Sequence, residues 1–361
     1  MKVVVYPADA FGCGSFRMLW PAEQCAAAGH DVHVVEQGQR SVRLVMEGNQ
    51  VRDVLVDDVD VVVLQRVTHS FMAQAVGVLR AKGVAVVVDV DDDLSSIHPS
   101  NPAWAMHHPG NEGRRMAGGQ VNRHSWRNLA MACRDASLVT VSTPALLDVY
   151  ARHGRGVVLP NYLPDHYYGL PRTDSDVVGW PGSFHSHPND PEVVGGAVAR
   201  LVDEGAEFVM RGDPSGAGKA FGLAADPAGG GVPIGEWPRA VAELGVGIAP
   251  LADTRFNAAK SWLKPLEMSA CGVPWVASPR AEYQRLHKMG AGALADRPRT
   301  WYREVKRLRE SAALRQEMSD AGRAVAEQLR LSQHAWRWMD AWAHAFEVQQ
   351  ATPRTATALS A

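Results

Sequence analysis

At 361 residues, with 46% hydrophobic and 21% charged residues, the chain has the length of two ordinary domains and the composition of a globular protein in water. Its formal net charge of −2 excludes a global basic field for nucleic acid or an acidic membrane surface. Cys13, Cys25, Cys133 and Cys271 form no CxxC pair and suggest no disulfide framework, which suits a reducing cytoplasm, and no stretch has the apolar length to span a bilayer.

The opening "KVVVY" reads as a buried strand and not as a signal peptide, which needs a basic start and a longer apolar core. A glycine loop and a helix from about Phe16 to Ala28 follow. "HDVHVVE", "VDVVVLQ" and "GVAVVVDV" read as further strands, the last two separated by a helix over His69–Lys82; "ASLVTVS" and "GVVLPN" close this half. Continuous apolar strands alternating with helices predict a parallel sheet covered on both faces. "YLPDHYYGLPRTDSD" has no period and reads as a linker. The pattern then restarts with "VVGWPG", "AEFVMRGD", "GVGIAPL", "VPWVAS" and "GALAD". The expected organisation is a Rossmann-like domain over 1–165, a linker over 166–176 and a second Rossmann-like domain over 177–330. A helix over 331–348 and a disordered tail over 349–361 complete it. Trp336, Trp338 and Trp342 mark that helix as packed, crossing back onto the first domain.

Parallel α/β sheets bind ligands where their strands end, so the loops after strands carry the candidates. Gly12 and Gly14 in "GCGSF" allow close backbone approach to a ligand, and Arg17 opens the following helix within reach of an acceptor phosphate or on the surface. Asp89, Asp91, Asp92 and Asp93 stand at the end of the buried strand "VVVDV". A cleft-facing acid cluster, a helix cap at Asp93 or Ser95, and a divalent-metal site are the three readings of that run. His185 and His187 share a loop but lack the partners of a zinc site. "NEGRRMAGGQVNRHSWR" is the one basic patch, a solvated loop or a contact to an anionic acceptor.

The densest stretch is "FNAAKSWLKPLEMSACGVPWVAS", Phe256–Ser278. Pro265 predicts a helix starting near 261–264, because proline is tolerated in a first turn. Free amides and the helix dipole there attract anions, and Lys260 and Lys264 add two cations. If the helix already includes Lys260, then Lys260, Lys264 and Glu267 share one face at i, i+4 and i+7. A diphosphate fits the lysines, and a carboxylate one turn deeper can accept two ribose hydroxyls.

That stretch resembles the donor-site signature of GT-B-fold glycosyltransferases of the retaining, family 4-like group. "GCGSFRMLWPAEQCAAAGHDVHVV", "DASLVTVSTPALLDVY" with "VVLPN", and "VVGWPGSFHSHPND" resemble other parts of the same family in the same order. The resemblance implies two Rossmann-like domains facing across a cleft and a sugar moved, with retention, from a UDP-, GDP- or similar sugar nucleotide. It also implies that no metal or other cofactor is needed. The donor candidates are then Gly182, Ser183, Asn257, Lys260, Lys264 and Glu267, with His185 and Arg211 standing in for absent family residues; Asp91 and Asp92 are the candidates for sugar or acceptor contact where the family commonly has a histidine, and Gly12, Gly14 and Arg17 the acceptor-side candidates. Where the family carries a second glutamate this chain has Ala259, and the usual Arg and Lys early in the donor domain are absent. The acceptor is open: glycan, lipid-linked sugar, protein or a modified DNA base. A sugar-nucleotide-binding protein without transfer is the alternative. The expected location is the cytoplasm, free or peripheral to a membrane.

Overall fold

Valine-rich runs make the sheets, and the structure, a computed structural model that describes residues 1–35, 43–56, 58–111 and 124–352, sorts them into two units. The first comprises the described residues of Met1–Ile97, Ala105–Asn161 and His334–Ala361; the second comprises His98–Trp104 and Tyr162–Gln333. The expected linker 166–176 therefore belongs to the second unit, where Tyr167 is wholly buried.

The strands of the first unit are β1 (Val3–Tyr6), β2 (Val32–Val34), β3 (Arg43–Glu47), β4 (Gln50–Leu55), β5 (Val61–Gln65), β6 (Ala85–Val90), β7 (Leu138–Val141) and β8 (Gly156–Val158). Six of them form a parallel sheet in the order β2-β1-β5-β6-β7-β8. Every residue of β5, β6 and β7 is buried, as uninterrupted apolar runs require of central parallel strands. β3 and β4 pair antiparallel as a separate hairpin, absent from the sequence reading. Their charged, largely exposed residues carry no continuous apolar run to announce them.

The second unit holds β9 (Val178–Pro181), β10 (Phe208–Arg211), β11 (Ala228–Gly230), β12 (Val246–Ala249), β13 (Trp275–Ala277) and β14 (Ala293–Leu294). Their order is β11-β10-β9-β12-β13-β14, all parallel. Counted from β9 this is 3-2-1-4-5-6, the doubly wound order whose switch point lies between the first and fourth strands. β11 was not expected, since "AGG" has no β-branched residue and the strand is an exposed edge. Below the sheet Phe221 sits edge-on to both Trp180 and Phe208, with ring centroids 5.5 and 4.9 Å apart.

The last helix starts and ends later than expected. It runs Trp336–Ala351 after a short turn at Leu331–His334, and packs within the first unit against β5, β6, β7 and the helix Trp20–Ala27. Trp338 and Trp342 are buried and Trp336 is exposed. Residues 353–361 of the expected tail lie outside the described residues.

Arg17 corrects the sequence reading. It does not offer itself to an acceptor: Ser15–Leu19 adopt a π-helical turn, and the Arg17 side chain is fully buried. Its guanidinium grips Asp89 with two bonds, Nε to Oδ1 at 3.1 Å and Nη2 to Oδ2 at 2.6 Å. Nη1 donates to Asn161 Oδ1 at 3.0 Å and to the carbonyl of Leu159. Thr140 donates to Asp89 Oδ2 at 2.7 Å, and Trp338 Nε1 to the Arg17 carbonyl at 3.3 Å. A charge taken from water needs such partners, and removing one strands the other. Arg17→Met is therefore expected to cost about 3–5 kcal/mol in urea unfolding. A loss below about 1 kcal/mol, the size of an exposed pair, would show that the pair does not hold the unit together.

Candidate functional site

In the second unit the loop after β9 and the segment after β12 meet at the switch point. Thr254 accepts from the N–H of Asn257 and caps the short helix Arg255–Ala258. The next helix is Leu263–Ala270, with Pro265 in its first turn. Because it begins at Leu263, Lys260 lies in the turn before it and not on its face. Its ammonium stands 4.4 Å from the centre of the Phe256 ring.

Lys264 lies in the first helical turn, and its Nζ is 3.1 Å from Nε2 of His187. Gly182 permits this: a Cβ there would come within 3.0 Å of Lys264 Cε and of Trp180 Nε1. His187 Nδ1 is 2.8 Å from Asp190 Oδ2. Asp190 Oδ1 accepts from the N–H of Ala252 at 2.9 Å and from Asn257 Nδ2 at 2.6 Å. Burial, and then the Lys264 cation, lower His187 to about 4, so it is neutral near pH 7. Sequence reasoning missed Asp190 altogether; its only signal was lying three residues past His187 in "HPND".

One turn beyond Lys264, Glu267 is 4% exposed. Its Oε1 accepts from Tyr167 Oη at 2.9 Å and from Trp237 Nε1 at 2.8 Å. Burial pushes its carboxyl up to about 7, against the opposing pull of Tyr167, Lys264 and Trp237.

The remaining donor candidates scatter. Ser183 is half-buried beside Gly182, and His185 is exposed on the same loop. Arg211 turns away: Nε donates to the carbonyl of Ala240 at 3.1 Å and Nη2 pairs with Glu243 at 2.7 Å. It ends β10 beside the helix Trp237–Ala242, whose last turn takes its charge. Asn257 is buried, with its amide engaged by Asp190 and by the carbonyl of Ala252, so it supports the site from behind.

In the first unit the equivalent strand ends gather a polar cluster. Asp9, after β1, accepts from the N–H groups of Phe11 and Gly14 at 3.0 Å each and pairs with Arg66. Gly14 is required, since a Cβ would fall 1.8 Å from the Asp9 carbonyl oxygen, whereas nothing crowds Gly12. Arg66 follows β5 in the left-handed region, φ 46°, a strained conformation for arginine. Its Nε is 4.0 Å from Asp91 Oδ1, and neither atom has a hydrogen-bond partner among the described residues. Burial raises the Asp91 carboxyl, with Arg66 opposing. Of the acidic run, Asp89 serves Arg17, and Asp93 caps the turn Leu94–Ser96 through Ser95 N–H at 3.1 Å, one of the readings its sequence offered. Asp91 and Asp92 remain at the strand end. No group of three or more His, Cys, Asp or Glu among the described residues is arranged to hold a metal ion. Residues 112–123 of the basic patch lie outside the described residues.

No protein-family model and no curated protein matches the sequence. Solved structures do. Sucrose-phosphate synthase from Thermosynechococcus elongatus is similar at 13% identity and a TM-score of 0.62, over 96% of this chain and all of that one. A glycosyltransferase from Rickettsia africae matches at 10% identity and 0.62, over 97% and 99%. Anabaena HepE in complex with UDP matches at 13% identity and 0.56, over 94% and 99%. The fold is GT-B.

Within this GT-B chain, Glu267 sets a measurable pH dependence. Its folded value, about 7, lies above the ordinary 4.5. It therefore costs no stability below the ordinary value, and the cost grows as pH rises through the folded one. Glu267→Gln removes that cost. Relative to the wild type, its unfolding free energy is expected to gain about 3 kcal/mol between pH 4.5 and 8. A difference that stays flat over this range would show Glu267 ionised throughout.

Proposed function

We propose that the protein is a glycosyltransferase that moves a sugar from a nucleoside-diphosphate sugar to an acceptor, with retention and without a metal. The observation that carries this is the pair Lys264 and Glu267. They stand one helical turn apart at the start of a helix, on the carboxyl edge of a doubly wound sheet. Lys264 and Lys260, with the helix amides, meet the diphosphate and stabilise it as it departs. Glu267 accepts the ribose hydroxyls; Tyr167 and Trp237 both donate to Oε1 and so fix the carboxylate plane. HepE, which shares the fold, was determined with UDP, and that supports a nucleotide-sugar donor.

Asp91 and Asp92 contact the transferred sugar or the acceptor. The first unit's strand ends place Asp9, Asp91 and Asp92 around one arginine, Arg66. That balance favours a hydroxyl-bearing glycan over a phosphate-rich acceptor such as DNA. No helix among the described residues is long and apolar enough to cross a membrane. The proposal places transfer in the cytoplasm, where the four free thiols stay reduced.

Calorimetry with UDP, GDP and their nucleosides tests the donor site. Lys260→Ala and Lys264→Ala are expected to weaken the diphosphates by about tenfold or more each, and the nucleosides hardly at all. Equal losses for both would remove the lysines from the phosphate. Release of nucleoside diphosphate that requires an acceptor separates transfer from mere binding.

Transfer is expected to survive EDTA, because cationic side chains and helix amides supply the charge that a metal supplies elsewhere. Activity abolished by chelation and restored by Mg²⁺ or Mn²⁺ would turn the acidic strand end into a metal site.

A further inference from the structure

The proposed function gives Lys264 a role but leaves the buried chain behind it unexplained. We propose that Asp190 is a positioning residue: through the tautomer of His187 it holds Lys264 where a diphosphate binds. The proposal rests on the reading that Lys264 meets the diphosphate.

The argument is one of donors and acceptors. A carboxylate only accepts, so His187 Nδ1, 2.8 Å from Asp190 Oδ2, must carry hydrogen. An ammonium only donates, so Nε2, 3.1 Å from Lys264 Nζ, must present its lone pair. The imidazole is therefore neutral and held in one tautomer, with its polarity running from Asp190 to Lys264. Burial and the neighbouring lysine both oppose its protonation. Burial alone would raise the Asp190 carboxyl, but its bonds from His187 and Ala252 outweigh this and lower it.

Asp190 itself cannot turn. Oδ1 takes a backbone N–H, which has no alternative orientation, and Asn257 Nδ2. Asn257 is fixed in turn, since flipping its amide would set its oxygen against both Asp190 and the carbonyl of Ala252. The relay borders a pocket of the second unit lined by His98, Asn101, Pro188, Thr254 and Phe256. It thus forms part of the wall of a small pocket.

Asp190→Asn is the decisive variant. The two donors at Oδ1 keep the new amide's oxygen in place, which leaves its NH₂ facing His187 Nδ1. The ring must then move its proton to Nε2, and donor meets donor at Lys264. UDP, or GDP if the site prefers it, is expected to bind about tenfold or more weakly, as to Lys264→Ala, with the nucleoside unchanged. Adding Asp190→Asn to Lys264→Ala should cost nothing further.

His187→Gln and His187→Ala give the same test where Asp190→Asn fails to fold. Glutamine offers N–H toward Asp190 and oxygen toward Lys264, so it should retain most diphosphate affinity while alanine loses it. A merely structural role would weaken nucleoside and diphosphate alike and would not distinguish glutamine from alanine; either result overturns the inference. Selective loss in Lys264→Ala with none in a folded Asp190→Asn overturns it as well, and leaves the nucleotide site standing. No selective loss in Lys264→Ala overturns the nucleotide reading, and this inference with it.

Discussion

The bond between Arg17 and Asp89 is the constraint around which the first unit is assembled. It reaches from the first helix to β6, and through Asn161, Leu159 and Thr140 to β7 and the segment after β8. Trp338 of the last helix closes on the same residue, with the guanidinium 5.8 Å from its ring centre. A buried guanidinium has more donors than a single carboxylate can absorb, so several segments must arrive together to satisfy it. This makes the interaction selective for one arrangement: chain segments far apart in sequence are folded correctly only when they meet at this one side chain.

With Arg17 and Asp89 committed to structure, the polar groups left at the strand ends lie just beyond them. Asp91 is two positions past Asp89, and Arg66 lies at the end of the neighbouring strand, its N–H on the Asp89 carbonyl at 3.0 Å. The buried pair thus fixes the frame, and the strained arginine and the under-bonded carboxylate stand on it. In the second unit the same division holds between β12, which is apolar and buried, and the polar segment that leaves it.

Much of this was legible in the sequence because apolar runs and proline positions are local signals. The central strands of both sheets, the helix around Ser70–Ala81 and the start of Leu263–Ala270 followed from them. What was not legible depends on directions in space. The acidic run at the end of β6 could not reveal which carboxylate served Arg17, which capped a turn and which stayed at the strand end, since that depends on partners far off in sequence, Arg17 being 72 residues from Asp89. Arg211 seemed available because it ends a strand, and the competing carbonyl and Glu243 lie on a helix about thirty residues away. β11 and the β3–β4 hairpin owe their existence to neighbours and to turn geometry more than to their own composition.

The arrangement behind Lys264 shows why a histidine, and not a carboxylate alone, stands there. Had Asp190 touched Lys264 directly, the two charges would have formed an ion pair, and much of the ammonium's pull on an anion would be cancelled. The neutral ring keeps them apart. It passes on orientation through two hydrogen bonds while adding no charge of its own, and burial makes the protonated ring costly. Glu267, one turn deeper, is treated in the complementary way: apolar surroundings push its carboxyl toward neutrality, while two donors at one oxygen hold its orientation. Hydrogen bonds fix the geometry in both places, and a site whose polar groups are already oriented loses less in ordering when a ligand binds.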